Sequence, residues 1–317
     1  MTSPGQQQQS HILAAPIATA ILSTVIAVLG LHFMHARPKS LHHGRPTRIV
    51  AMSPGIAEIL FALQMGPQVA GITDNTTYPP RAIVHKTRIG GFFSPSFERI
   101  LTLDPDLVVC RSDQRELAEK LRDSGLSVLR VPDKSLADVL TSIIIIGSSV
   151  GQSRRAKALS DRMRAELNQI RRLVSKRPLV PTLIIVGRAD ATLRSLYGVG
   201  RHTVLDRLIT LAGGRNVLAQ APVSYPVINK EALLHNKPKV VIEISAPPSP
   251  WSIADVEKSW RGFFETGSLA CRLHVSRQTY WLVPGPRLVD AARQLAVWIH
   301  PEVAERLRNP TSPQSVP

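Results

Sequence analysis

Two short segments in opposite halves of the chain share one pattern, and that pattern limits the fold more than any other feature. Residues 97–109 read FERILTLDPDLVV and residues 230–242 read KEALLHNKPKVVI. In each, a glutamate is followed by an aliphatic residue, a leucine, a proline and an aliphatic run: Glu98, Ile100, Leu101, Pro105 against Glu231, Leu233, Leu234, Pro238. The spacing predicts a short helix, a turn and a buried strand, made twice. A chain that repeats such a unit is expected to fold as two similar α/β lobes. Each glutamate opens its helix, where a carboxylate favours the helix dipole. As a pair they offer one acid at matching points of the two lobes.

Between the copies runs 153–174, SRRAKALSDRMRAELNQIRRLV, with apolar residues at Ala156, Leu159, Met163, Leu167, Ile170 and Val174. Steps of three and four put one stripe on one side of a helix and Arg and Lys on the rest. No Gly or Pro interrupts it, Ser153 is expected to cap it, and Pro178 ends it. At 1.5 Å per residue this is a strut about 30 Å long, joining the lobes.

The flanks alternate strand and helix. The first lobe reads as RIVAMS (strand), Pro54 to Met65 (helix), QVAGIT (strand), an extended DNTTYPP loop (74–80), the Gly90-Gly91 turn, a helix from Ser96, LVVC (107–110), a helix over 114–124, LSVLRVP (126–132) and a helix from Ser135. The second lobe reads as TLIIVGR (182–188), a helix over 202–212, KVVIEIS (239–245), a mostly irregular 246–276, QTYWLVP (278–284) as the last strand, and a helix from Arg287 to Ile299. Short connections between such elements require mainly parallel sheets flanked by helices. The expected divisions are 1–44 anchor or signal segment and linker, 45–150 first lobe, 151–178 bridge, 179–305 second lobe, and 306–317 a disordered tail.

The 317 residues carry a formal charge of +16, with the basic residues spread along the chain and only four Trp and four Tyr as stacking platforms. A nucleic-acid partner is therefore not expected. Cys110 and Cys271 sit in different halves without metal or redox spacing and read as free thiols. From Ile12 to Leu31 no residue is charged, enough to span a bilayer as an uncleaved anchor, with a cleaved signal peptide as the alternative. Arg37, Lys39, Arg45 and Arg48 follow it, a pattern that taken alone keeps the body cytoplasmic. His32, His35, His42 and His43 lie in the Pro- and Gly-containing stretch after the run and read as a linker, with a transition-metal site as the alternative.

Two α/β lobes on one long helix, with RIVAMSPGIAEILFALQMG, TYPP, IGGFFSPSFERILTLDPDLVV and NKEALLHNKPKVVI in this order, resemble the helical-backbone class of periplasmic substrate-binding proteins of ABC importers. The resemblance covers roughly residues 48–300 and is nearest to the cobalamin-binding members. It implies a monomer outside the cytoplasmic membrane that holds cobalamin or a related corrinoid between its lobes, needs no cofactor or metal of its own, and hands its cargo to membrane permease subunits. It also implies that Glu98 and Glu231 dock on permease arginines, and that Phe92 and Tyr225 occupy aromatic cleft positions. Asn75 and Arg111 stand where cobalamin binders can carry aromatics.

A flat macrocycle needs aromatic walls and a few polar groups at its edge. Phe92, Phe93, Tyr225, Trp251 and Trp281 lie in or beside loops at strand or helix ends, where ligands of such sheets bind, and Tyr78 and Arg287 can reach a ligand's edge. Trp298 reads as core. The alternatives are a ferric-siderophore or haem binder of the same class, a membrane-anchored adaptor without ligand, and a chelatase-like enzyme using His202, His235 or His274. The enzyme reading finds no support in motifs: GVGRHT (198–203) departs from GxGxxG, and no GxSxG or HExxH occurs.

Overall fold

The computed structural model describes residues 45–247, 249–265 and 269–307. The apolar run 12–31, the linker histidines and the tail from 308 lie outside them. The first lobe contains β1 (Ile49–Ala51), α1 (Pro54–Ala62), β2 (Val69–Ile72), β3 (Thr87–Arg88), α2 (Phe97–Thr102), β4 (Leu107–Arg111), α3 (Arg115–Asp123), β5 (Val128–Val131) and α4 (Leu136–Ser149). Its five strands form one parallel sheet in the order β3-β2-β1-β4-β5. The strut, α5 (Ser153–Val174), leads to β6 (Val180–Arg188), β7 (Leu196–Gly198), α6 (Val204–Leu211), β8 (Gly214–Asn216), β9 (Val227–Ile228), α7 (Lys230–Asn236), β10 (Val240–Ile244), α8 (Ile253–Phe264), β11 (Arg272–Ser276) and α9 (Leu288–Ile299), with a last turn, α10 (Ala304–Leu307). The second sheet runs β11-β10-β6-β7-β9, with β8 also on β6. Only β7 runs against the other strands, so its pairings with β6 and β9 are antiparallel and the rest are parallel.

The strut has the bounds its periodicity predicts, but Gln152, not Ser153, stands at its N-cap, and no side chain caps it. Its buried stripe joins the lobes' interiors into one core. Alternate strand residues decide which side is which: Ile49, Ala51, Leu107 and Val109 face this shared core, as do Ile184, Val240 and Ile242. Val50, Met52, Val108 and Cys110 face an outer layer under α2 and α3, while Leu183, Ile185 and Val241 meet Trp260 and Phe263 of α8. Burying an aliphatic side chain of this size is worth roughly 1.5–3 kcal/mol before entropy is subtracted.

Four further expectations fail. Residues 246–276 hold α8 and β11, and Ser252 with Asp255 makes a capping box at the start of α8; Pro, Trp and Gly in the stretch masked an ordinary helix signature. Residues 278–284 form a 3-10 turn over Thr279–Leu282 in place of a strand, because Trp281 turns into the core and its Nε1 donates to Ser276 Oγ at 2.9 Å. The 74–80 loop is not extended throughout but turns, with a cis Tyr78–Pro79 peptide. Leu307 is buried, so the body continues slightly past the expected start of the tail.

Helices α4 and α5 pack closely at Gly147, where an added Cβ would lie 2.2 Å from the Cβ of Ala156. Gly147→Val is expected to destabilise the fold by about 2 kcal/mol, the cost of overpacking outweighing the gain from removing a helical glycine. Urea unfolding midpoints at unchanged slope measure this, and an unaltered midpoint contradicts the packing described.

Candidate functional site

The loops leaving the carboxyl ends of β4 and β5 face residues at the start of α6 and in the β8–β9 connection across a cleft of about 450 Å³. The first lobe lends Phe92, Arg111, Asp113, Asp133 and Lys134, and the second lends His202, Thr203, Ser224 and Tyr225. Trp281, Leu282 and Pro284 join the two walls. A cleft at the carboxyl edges of parallel strands is where open α/β sheets hold ligands.

The first wall is an aromatic ring on a neutralised cation. The Arg111 guanidinium lies 4.2 Å from the centre of the Phe92 ring, and Arg111 Nε is 3.0 Å from Asp113 Oδ1 and 3.2 Å from Asp133 Oδ2. Hydrogen bonding from Arg111 holds the Asp113 carboxyl below its ordinary range. Burial pushes Asp133 up, with Arg111 opposing. The Phe92 backbone N–H donates to Asn75 Oδ1 at 3.0 Å, and Phe93, 90% exposed, meets Phe92 edge-on at 4.8 Å. Asn75 and Arg111, the two departures from the aromatic pattern, thus set Phe92 in place. Arg111, the last residue of β4, and Asp113, Asp133 and Lys134, within three residues of the ends of β4 and β5, line the cleft without a sequence motif that marks them.

On the second wall His202 is exposed in the left-handed region, φ 64°, one residue before Thr203 caps α6. Tyr225 is 52% exposed. At the floor, Trp281 stacks on Trp298 at 5.5 Å, and Trp298 on His274 at 4.8 Å, so Trp281 is a core residue with one edge toward the cleft. Trp251 lines a neighbouring pocket of about 290 Å³ that shares Leu282 with the cleft. Beneath that pocket Arg188 and Glu243 pair through two 2.6 Å hydrogen bonds, and Glu243 also accepts from Trp260 Nε1 at 2.7 Å.

Arg287 and Tyr78 have another place. Arg287 Nη2 pairs with Glu58 Oε1, joining the residue just before α9 to α1 across the lobes, and its guanidinium lies 4.0 Å from the centre of the Tyr78 ring. Gly55 lies so close to Pro284 that an added Cβ would sit 2.3 Å from the Pro284 oxygen. Thr77 Oγ1 donates to Thr279 Oγ1 at 3.2 Å. These contacts form a seam between the lobes at the base of the cleft.

Glu98 and Glu231 are both exposed in the first turns of α2 and α7, capped by Ser96 and Asn229. Each helix precedes a strand, β4 or β10, that is parallel to its neighbours. Its N-terminus therefore lies toward the carboxyl edge of its sheet, the edge from which the cleft is built.

Two parallel-sheet lobes on a helical bridge, with a cleft between facing carboxyl edges, define the class of bilobal binding proteins. A sequence model of the family described as periplasmic binding protein matches residues 49–245, and the chain belongs to that family. An uncharacterised ABC transporter substrate-binding lipoprotein of Bacillus subtilis is 26% identical over 272 residues, 81% of this chain and 81% of its own. A vitamin B12-binding protein of Vibrio cholerae is 25% identical over 290 residues, 87% of this chain and 97% of its own. The structure of a periplasmic haem-binding protein of Roseiflexus matches with a TM-score of 0.69 at 25% identity, over 80% of this chain and 98% of the other. That of a periplasmic vitamin B12-binding protein of Vibrio cholerae also matches at 0.69, with 21% identity, over 83% and 99%.

Burial pushes Glu58 above its ordinary value of 4.5, against the opposing pull of Arg287. The folded chain thus keeps this proton to higher pH than the unfolded chain, so the stability it contributes is full below 4.5 and is lost as pH rises through the folded value. In Glu58→Gln this titration is absent. The unfolding free energy of the variant minus that of the wild type should therefore increase from pH 4.5 toward neutrality; a difference that stays flat contradicts the assignment.

Proposed function

We propose that the chain is the capture subunit of an ABC importer, holding a metallated tetrapyrrole of the corrinoid class in the cleft and passing it to membrane permease subunits. The observation that carries this reading is the Phe92 ring, backed by Arg111 and facing Tyr225 and His202 across the cleft. One aromatic face, a polar opposite wall and open edges suit a flat, weakly polar disc. The relatives named for vitamin B12 binding support the corrinoid assignment. Haem is the second reading, favoured by the haem-binding neighbour at 25% identity and by two side chains, His202 and Tyr225, that can donate to a metal.

In this reading Phe92 and Tyr225 contact the ligand's faces, Phe93 shields the rim, and Trp281 forms the floor. Trp251 receives a side arm in the neighbouring pocket. Arg287 and Tyr78 hold the lobes rather than the ligand. Glu98 and Glu231 meet cations on the permease. Capture is binding without turnover by a monomer, and the cargo leaves unchanged. The body works outside the cytoplasmic membrane, tethered by residues 12–31.

Titration of the full chain in detergent with cobalamin, cobinamide, haem and ferric siderophores should give tight binding of a tetrapyrrole. Exclusive binding of a siderophore sinks the proposal. Phe92→Ala and Tyr225→Ala should each weaken binding roughly tenfold, about 1.4 kcal/mol. Glu98→Lys combined with Glu231→Lys should abolish uptake by cells while leaving affinity unaltered; lost affinity would put these residues in the pocket and refute their docking role.

A further inference from the structure

The solvent side of the strut carries a dense run of positive charge. Arg154, Arg155, Lys157, Arg162 and Arg164 are exposed, as are Arg171 and Arg172 in the last turn. The helix's two acids are already engaged: Asp161 pairs with Lys157 at 2.6 Å, and Glu166 turns to Arg293 of α9. Among the described residues Arg154, Arg162, Arg164 and Arg172 have no ionic partner. At 3.6 residues per turn the cations cover the whole outer face, with the exposed Ala158 and Ala165 along its midline. A broad anionic surface can meet many of them at once.

A second observation says which surface. The Arg45 side chain lies over Gly151, its Nε 2.8 Å from where a Cβ there would be, so the described body begins beside the amino end of the strut. Residues 32–44 alone separate Arg45 from the uncharged run 12–31. Fully extended, such a linker reaches about 45 Å. If 12–31 sits in the bilayer, the cationic rod is held within reach of the headgroups.

We propose that the outer face of the strut docks on anionic phospholipid headgroups of the membrane that holds residues 12–31, an inference that rests on the tether proposed above. Each arginine offers its planar fork to a lipid phosphate, and the attraction acts within about 8 Å of the surface at physiological salt. None of the cleft's lining residues belongs to the strut, so docking leaves the cleft open to ligand.

The full chain is placed in lipid nanodiscs of phosphatidylcholine with or without one-third phosphatidylglycerol. A fluorophore is carried by Ala165→Cys in a Cys271→Ser background, Cys110 being shielded in the core. A spin label on the lipid headgroup should quench Ala165→Cys in anionic discs but not a control label at Phe93→Cys on the cleft rim. Quenching should vanish in neutral discs or in 0.5 M NaCl. Arg154→Glu, Arg162→Glu, Arg164→Glu and Arg172→Glu together should lower the ratio of docked to undocked protein about a thousandfold or more, with unchanged circular dichroism. Equal quenching in neutral discs, stronger quenching at Phe93→Cys, or tighter binding of single-stranded DNA than of anionic discs at physiological salt overturns the proposal. Carbonate extraction reads the tether separately. If the chain is released, the tether has failed, and the same labels then decide the strut's role on added anionic vesicles, where no quenching refutes it.

Discussion

A buried contact between one carboxylate and one guanidinium holds the cleft's geometry. Glu58 on α1 and Arg287 at the start of α9 meet where the two lobes touch, with Gly55 against Pro284 alongside. Glu58 Oε2 and Arg287 Nε are buried without a hydrogen-bond partner, so each charge depends on the other for most of its compensation. Removing either member strands a charge in the interior, which costs several kcal/mol, whereas replacing both with well-packed apolar groups need not. The pair is therefore weak evidence for stability as such. Its importance is positional: it fixes α1 against the turn that ends at Pro284, one of the residues lining the cleft.

The cleft combines two kinds of wall for a physical reason. On the first lobe, charge is present but cancelled, since Arg111 and Lys134 balance Asp113 and Asp133, with Arg111 between the two carboxylates and under the Phe92 ring. Such a surface offers polarisability and shape without a net field. On the second lobe, His202 and Tyr225 present donor atoms with no such cancellation. A neutral disc with a reactive centre is suited by this asymmetry, while a small, highly charged chelate would need several uncompensated cations converging on it.

Much of the fold was legible in the sequence, and the reason is periodicity. Ala156 through Val174 repeat at helical spacing without Gly or Pro, and β1, β4, β6 and β10 are short apolar runs of the kind parallel sheets bury. Composition misled where it competed with local chemistry: the Ser252–Asp255 capping box of α8 was there to be read within a Pro- and Trp-rich stretch. Thr279–Leu282 has strand-like residues, yet tertiary packing of Trp281 draws them into a turn. Site residues were legible only by their place at strand ends. Phe92, Tyr225 and Trp281 are candidates from the sequence that line the cleft, but Arg287 could not be distinguished from a ligand contact, because its partner Glu58 lies more than two hundred positions away in the chain. Arg111, which by sequence stands in place of an aromatic, lies under the Phe92 ring.

The strut's apolar stripe welds both interiors into one continuous mass of side chains. A break in the polypeptide anywhere along this rod would leave each fragment with a bare greasy flank and no means of covering it. The halves look alike in sequence, yet neither is a candidate for life on its own: they are made to survive, and to melt, together.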